Sequence, residues 1–368
     1  MKLLYCNLLK KSAIEGHKHF DMEWVSMLST IADVTILCPE DDWYPSINSN
    51  VETAISYVAL KMEKKRFLKW KIWKREPLKH LAMFERMEAT IQIKKALDLD
   101  KKECFDHIIV STVDLIAFLP YYHRFSNPER LFFIAHNAEG YSSKLIAPIF
   151  SHIKNRVNHI VMEQNGRDYM IKHYSLDSRL VHYIPHMLNV ANIQAINSNI
   201  EPKDIIGISN SNNDIEVQKI INLEERDGFF ERNKLTALFR STNIEYKSKY
   251  LTVFAGRLGL SYDDYITYYK KARVVILPFS EDFGIRSSGT IMDAFSQKIP
   301  IIGNRFGTML QYNKKYPHIC RLYSNMDEFQ YQLLSCLDNS QENEEEFAEF
   351  QEEHSREFIL NCFRELFV

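Results

Sequence analysis

The stretch Val274–Phe306, VVILPFSEDFGIRSSGTIMDAFSQKIPIIGNRF, reads as strand, polar loop, helix and strand. Val274, Val275, Ile276 and Leu277 form a short all-apolar run of the kind a buried parallel strand requires, and Pro278 stops it. Ser287, Ser288, Gly289 and Thr290 then precede Ile291, Met292, Ala294 and Phe295, whose spacing predicts a helix. Hydroxyls and a glycine therefore stand where a helix leaves its first N–H groups unpaired. Those donors, the helix dipole and Arg286 together favour a phosphate. The same residues are also ordinary capping chemistry for any strand-to-helix connection. Lys298, Ile299 and Pro300 close the helix, and Ile301, Ile302 and Gly303 give the next strand.

Strands and helices alternate along the rest of the chain. Lys2–Cys6, Val34–Cys38, His107–Val110, Leu131–Ala135, His159–Met162 and Leu180–Ile184 are short apolar runs separated by helix-length segments, the pattern of a doubly wound parallel sheet. Gly16–Ile31 carries Phe20, Met22, Trp24, Val25, Leu28 and Ile31 as an amphipathic face. The loop before it, Lys10–His17, stands at the carboxyl end of the first strand, where such sheets bind ligands. Asn189–Asp204 is rich in Asn and Ser without periodicity and reads as a linker. Beyond it come strands at Ile205–Ser209, Tyr250–Ala255, Val274–Leu277, Ile301–Gly303 and Ile319–Tyr323, with a helix at Tyr262–Ala272. The fold class is α/β, with one lobe over residues 1–190 and another over residues 200–341. Glu342–Val368 reads as an acidic helix with Phe347, Phe350, Phe358 and Cys362 at roughly helical spacing.

At 368 residues the chain is long enough for two domains with their own cores. A net charge of −2 argues against bulk binding of nucleic acid through its phosphates. The cysteines Cys6, Cys38, Cys104, Cys320, Cys336 and Cys362 are scattered, with no C-x-x-C or His/Cys cluster, which points to buried reduced thiols and implies neither zinc nor disulfides. The start MKLLYCNLL lacks the apolar run of a signal peptide, and no segment is apolar for the length of a membrane span, so a cytoplasmic location is expected.

The Val274–Phe306 string resembles the nucleotide-sugar site of GT-B glycosyltransferases, the family 4 (group 1) type in particular. In that family a P-x-x-E-x-F-G sequence precedes a phosphate-facing turn, a helix carrying E-A and a strand read as P-V-I. The matching residues are Pro278, Glu281, Phe283 and Gly284, then Asp293 and Ala294, then Pro300, Ile301 and Ile302. The resemblance implies two Rossmann-like lobes facing a cleft, with acceptor on the first and nucleotide sugar on the second. It also implies that a helix in 342–368 packs back on the first lobe. Asp293 is expected to accept hydrogen bonds from the donor ribose, the turn Arg286, Ser287, Ser288, Gly289, Thr290 to hold the diphosphate, and Glu281 to stand near the sugar. His136, after the strand Leu131–Ala135, corresponds to a family histidine that touches the transferred sugar; a solvent-facing loop histidine is the equally simple alternative. Asn137 and Glu139 beside it, and Gly16 and His17 in the first loop, are candidate acceptor contacts, although a simple turn explains Gly16 equally well. Arg257, opening RLGLSY where the family holds the base, is a further donor candidate.

The chain departs from the family in several places. Glu281 and Asp293 stand further apart than the usual acids, the second acid is Asp rather than Glu, and the double glycine of the first loop is missing. An Arg/Lys pair normally follows the first strand of the second lobe; here GISNSNN offers Ser209, Asn210, Ser211, Asn212 and Asn213, which can bind phosphate without neutralising it. Arg286 and Arg257 are left to supply charge. The scheme needs no metal or other cofactor, the nucleotide sugar being the substrate, and family analogy implies retention of configuration. A base at His17 or Glu139 would instead imply inversion. The alternative to an enzyme is a non-catalytic GT-B partner that stabilises or targets an active transferase. A Rossmann oxidoreductase is disfavoured by the absence of G-x-G-x-x-G after the first strand.

Residues 61–79, KMEKKRFLKWKIWKREPLK, interleave Lys and Arg with Phe67, Leu68, Trp70, Ile72 and Trp73. This suits peripheral contact with an anionic inner leaflet, and so a saccharide or lipid-linked acceptor of bacterial surface polysaccharide synthesis; it equally suits a solvated helix with its aromatic side on the sheet. Asp98-Leu99-Asp100 has the D-x-D form of a metal motif but follows a helical stretch, with no strand to present it, and reads as a helix end.

Overall fold

The computed structural model describes residues 1–7, 15–38, 55–59, 77–125, 127–188, 200–256, 262–338 and 343–367. The chain divides into two compact units: Met1–Pro185 together with Arg356–Val368, and His186–Ser355.

The first unit is built on β1 (Lys2–Cys6), β2 (Asp33–Cys38), β3 (Ile55–Ala59), β4 (His107–Val110), β5 (Leu131–Ala135), β6 (Asn158–Val161) and β7 (Val181–Tyr183). Their order is β3-β2-β1-β4-β5-β6-β7, all parallel. The all-apolar runs are the central strands, because helices cover both faces of a parallel sheet: Leu3, Leu4, Tyr5 and Ile109 are fully buried. Strand order reverses between β1 and β4, so the loops leaving these two strands diverge and open a crevice at their carboxyl ends. The helix Glu15–Leu28 puts Trp24 in the core, where its ring lies 5.0 Å from Phe363 of the helix Arg356–Leu366.

The second unit holds β8 (Ile205–Gly207), β9 (Ala237–Ser241), β10 (Tyr246–Lys247), β11 (Leu251–Ala255), β12 (Val274–Leu277), β13 (Ile301–Asn304) and β14 (Cys320–Tyr323). The order is β10-β11-β9-β8-β12-β13-β14; β10 alone is antiparallel to its neighbour. Side chains alternate with the two-residue period of a strand. Ile206, Leu238, Val275, Leu277 and Ile301 pack under Tyr269, Ile291, Met292 and Phe295 of the helices Tyr262–Lys271 and Gly289–Ser296. Ile205, Phe239, Val274, Ile276 and Ile302 pack on the other face, against Val217, Ile220, Phe329 and Leu333 of the helices Asp214–Asp227 and Met326–Asp338. Here the strand order reverses between β8 and β12.

Three expectations need correction. The terminal segment is not one helix: Glu344–Glu353 and Arg356–Leu366 are separate, and the first belongs to the second unit, where Phe347 and Phe350 pack edge-on to Phe295. Part of the expected linker is structured, since Asp204 accepts hydrogen bonds from the backbone and hydroxyl of Thr236 at 2.8 Å each. Cys104 is exposed, unlike Cys6, Cys38, Cys320 and Cys336, which are buried. Asp98–Asp100 lies in the last turns of the helix Pro77–Glu103, a helix end as expected. No described helix is long and apolar enough to cross a membrane. Residues 61–76 of the basic, Trp-bearing stretch lie outside the described residues.

Candidate functional site

Gly207 ends β8 in glycine because β8 and β9 meet closely there: a Cβ would stand 2.4 Å from Cδ1 of Phe239 and 3.1 Å from the Ile276 carbonyl. The loop that follows is tied to the loop after β12. The Asn213 amide donates to the Pro278 carbonyl at 2.8 Å, and the Thr290 hydroxyl donates to Ser209 Oγ at 3.0 Å. Asn213 also starts the helix Asp214–Asp227, its Oδ1 accepting from the amides of Ile215 (2.9 Å) and Glu216 (3.3 Å). Asn212 donates through Nδ2 to the carbonyls of Gly207 (2.6 Å) and Arg240 (2.7 Å), joining the ends of β8 and β9. Asn210 is exposed at the tip of the loop.

On the other side, the loop after β12 turns at Gly284, whose φ of 62° and ψ of −130° exclude a side chain at low cost. It then rests on the helix Gly307–Lys315, where Thr308 donates its amide to the Gly284 carbonyl (3.0 Å) and its hydroxyl to the Arg286 carbonyl (2.8 Å). The helix Gly289–Ser296 begins here with Ser288 as its first flanking residue. Ser288 makes no side-chain cap, contrary to the capping expected of this sequence. Its carbonyl takes the amides of Ile291 (3.1 Å) and Met292 (3.2 Å), while the amides of Gly289 and Thr290 have no acceptor among the described residues. Gly289 is exposed, and the position of a Cβ on it has no heavy atom within 4 Å. The helix start is thus an open row of donors at the β8/β12 crevice.

Asp293 is half-buried further along this helix and accepts a hydrogen bond from Tyr265 Oη at 2.7 Å. Burial first, then the negative charge of Asp293, holds the Tyr265 hydroxyl well above the ordinary tyrosine pKa, so it remains a donor to the carboxylate. Arg286 is exposed and folds back over its own loop, with Nη2 donating to the Asp282 carbonyl at 3.2 Å and its guanidinium 5.7 Å from the centre of the Phe283 ring. Glu281 is exposed at the start of the turn Glu281–Phe283. Arg257 lies outside the described residues. The structure therefore joins Ser209 to Thr290 and Asp293 to Tyr265. Sequence reasoning missed Tyr265 and Arg240; the latter sits near the carboxyl end of the unforeseen β9, with Nε donating to the Gly256 carbonyl at 2.9 Å.

The first unit presents a second group of residues at its β1/β4 crevice. His136 follows β5 and is half-buried, with Nε2 2.9 Å from the Ser111 carbonyl and its ring edge-on to Phe20 at 5.4 Å. Asn137 is used locally: its Oδ1 accepts from the Glu139 amide at 3.1 Å and starts the short turn Ala138–Ser142. Glu139 is half-buried in that turn. Gly16 and His17 fall in the first turn of the helix Glu15–Leu28, and the loop 8–14 before them is outside the described residues. Beneath lies a feature the sequence did not announce. Asp21 is fully buried and accepts hydrogen bonds from Tyr5 Oη at 2.6 Å and from Asn7 Nδ2. Burial outweighs those bonds and raises its carboxyl to about 7. Among the described residues no three His, Cys, Asp or Glu side chains converge as a metal site would require.

By sequence, no family model and no curated protein matches the chain. By structure, it is similar along its whole length to Anabaena Alr3699/HepE in complex with UDP and glucose (TM-score 0.61, 12% identity, covering 100% of this chain and 98% of that one). It is likewise similar to trehalose-6-phosphate from E. coli bound with UDP-2-fluoro glucose (0.63, 8%, 100% and 99%). A putative UDP-N-acetylglucosamine 2-epimerase from Listeria monocytogenes also shares the architecture (0.60, 10%, 98% and 94%). With two doubly wound sheets, each open at its own point of reversal, and these likenesses across the full chain, the protein has the GT-B fold of two Rossmann-like lobes.

Proposed function

We propose that this protein is a glycosyltransferase that binds a uridine diphosphate sugar on its second unit and passes the sugar to a hydroxyl acceptor. The observation that carries the reading is the uncapped helix start at Ser288–Thr290, which leaves amide donors free at the β8/β12 crevice. A diphosphate accepts hydrogen bonds from the Gly289 and Thr290 amides and gains from the helix dipole. The same donors stabilise the diphosphate as it departs, so the step needs no metal ion. Asp293, oriented by its hydrogen bond from Tyr265, accepts from the ribose hydroxyls. His136, at the carboxyl edge of the first unit, contacts the transferred sugar, with Glu139 and His17 beside the acceptor and Glu281 near the donor sugar. Retention of the anomeric configuration follows from the family 4 resemblance. A saccharide or lipid-linked saccharide is the acceptor class that fits the basic 61–79 stretch.

The likeness to the Listeria epimerase favours a second reading, in which a UDP sugar is bound and isomerised without transfer. Calorimetric titration with UDP, followed by incubation with UDP-glucose or UDP-N-acetylglucosamine and mixed saccharide acceptors, separates the possibilities. Binding that is lost in Asp293→Ala, with UDP release and a new glycosidic linkage of unchanged configuration by NMR, supports the transferase. An epimerised sugar without a new linkage supports the second reading. Binding without turnover identifies a non-catalytic partner, and absence of nucleotide binding refutes all three.

A further inference from the structure

Arg240 lies on the same sheet face as Leu238, because side chains alternate along β9 while Phe239 between them enters the opposite core. That face is the one covered by the helices bearing Tyr265 and Asp293. Arg240 therefore stands near the carboxyl edge of the sheet, one strand over from β8 and Ser209, on the face that the helix Gly289–Ser296 covers, with Gly256 after β11 on its other flank. Its Nε is spent on the Gly256 carbonyl at 2.9 Å. The remaining donors of the fork have no partner, and no carboxylate pairs with it, among the described residues. Arg240 is only half-exposed, and burial alone pulls its pKa down. A partly desolvated guanidinium without a counter-ion is unfavourable unless a bound anion supplies one.

A second open group lies beside it. Asn212 is 8% exposed, and with Nδ2 committed to the Gly207 and Arg240 carbonyls its Oδ1 has no partner among the described residues. A buried amide oxygen left this way awaits a donor. The loop after β8 carries no Lys or Arg between Ile208 and Asp214, so the crevice receives no cation from that strand.

We propose that Arg240 is the cation that meets the diphosphate of the bound nucleotide, reaching in from β9, with Asn212 Oδ1 accepting a hydrogen bond from a hydroxyl or N–H of the same molecule. The inference rests on the nucleotide-sugar reading above. It moves the charge from the strand where the family carries it to the neighbouring one, about 4.8 Å away, and makes Arg240 a binding residue that discriminates diphosphates from nucleosides.

The test is calorimetric titration of the full chain, Arg240→Gln and Arg240→Lys with UDP and with uridine. Arg240→Gln is expected to weaken UDP about tenfold to a hundredfold while leaving uridine within about twofold, with Arg240→Lys in between. Equal weakening of both ligands, or UDP binding as tight as in the parent, overturns the proposal while leaving the nucleotide reading intact. A parent that binds neither ligand overturns both. A second measurement needs no variant: UDP, but not uridine, is expected to protect Arg240 from phenylglyoxal modification read by peptide mass spectrometry. Arg240 modified equally with and without UDP would sink the inference.

Discussion

Replacing the buried acid Asp21 by Asn should change how the first unit responds to pH. Asp21 holds its proton up to about 7 in the folded chain against 3.8 for the ordinary carboxyl. Between those values the folded state binds the extra proton, so the stabilisation is fully present below about pH 4 and is lost as pH rises through 7. Going from pH 8 to pH 5 this group alone adds about 2–3 kcal/mol to stability. His159 in the same unit works the other way. It is fully buried, with Nε2 2.8 Å from the Lys154 carbonyl, and burial lowers it from 6.5 to about 4. Its contribution is present above 6.5 and falls by about 2 kcal/mol at pH 5, and His107 and His182, also lowered by burial, act in the same direction. The opposing groups leave the parent's first unit nearly level between pH 8 and pH 5, whereas Asp21→Asn leaves the histidines unopposed. Tryptophan fluorescence reads this unit selectively, because Trp24, Trp43, Trp70 and Trp73 all fall within Met1–Pro185. With a urea slope of about 1–3 kcal/mol per molar, the variant's midpoint should drop by about 1 M or more between pH 8 and pH 5. Parallel pH profiles for parent and variant would refute the argument.

His354 is buried in the second unit with Nδ1 2.6 Å from the His186 carbonyl, and burial lowers it to about 4, so that unit should lose about 2 kcal/mol from pH 8 to pH 5. Circular dichroism should then show an acid-sensitive urea phase that fluorescence does not follow. Gly207→Ala pushes a methyl to 2.4 Å from Phe239 and should cost about 1–3 kcal/mol by chemical denaturation; an unchanged midpoint would contradict the close packing of β8 on β9. Gly289→Ala meets nothing within 4 Å, so stability should hold or rise by a few tenths of a kcal/mol while UDP affinity falls about tenfold as the methyl crowds the open amides. Undiminished affinity would place the diphosphate elsewhere.

The strands legible in the sequence were those with unbroken apolar runs, such as Val274–Leu277 and Leu131–Ala135, because burial on both faces leaves no polar residue to blur the pattern. β9 escaped because ALFRS puts Arg240 and Ser241 at the edge that faces the site, and β10 because two residues carry no period. The turn at Ser287–Thr290 was legible as a helix start, but whether Ser288 caps it is decided by its backbone and rotamer. The contacts that give the site its chemistry join distant residues: Tyr265 to Asp293, Ser209 to Thr290, Tyr5 to Asp21. No local spacing announces them, and a charged residue such as Arg240 looks like surface until the strand order places it one strand from the reversal point. The split of the terminal segment was hidden because its phenylalanines keep helical spacing through the break at His354 and Ser355.

The division of the chain has a consequence for its synthesis. Trp24 lies in the first unit's core against Phe363, so that unit is assembled from two pieces separated by 170 intervening residues, 186 to 355. The second unit is continuous and can finish folding as soon as Ser355 has left the ribosome. The first, although its strands are made earlier, keeps an open seam over Trp24 until the helix Arg356–Leu366 emerges. The half of the protein translated first is therefore the last to be sealed, and during that interval it is the half that exposes an aromatic surface to chaperones.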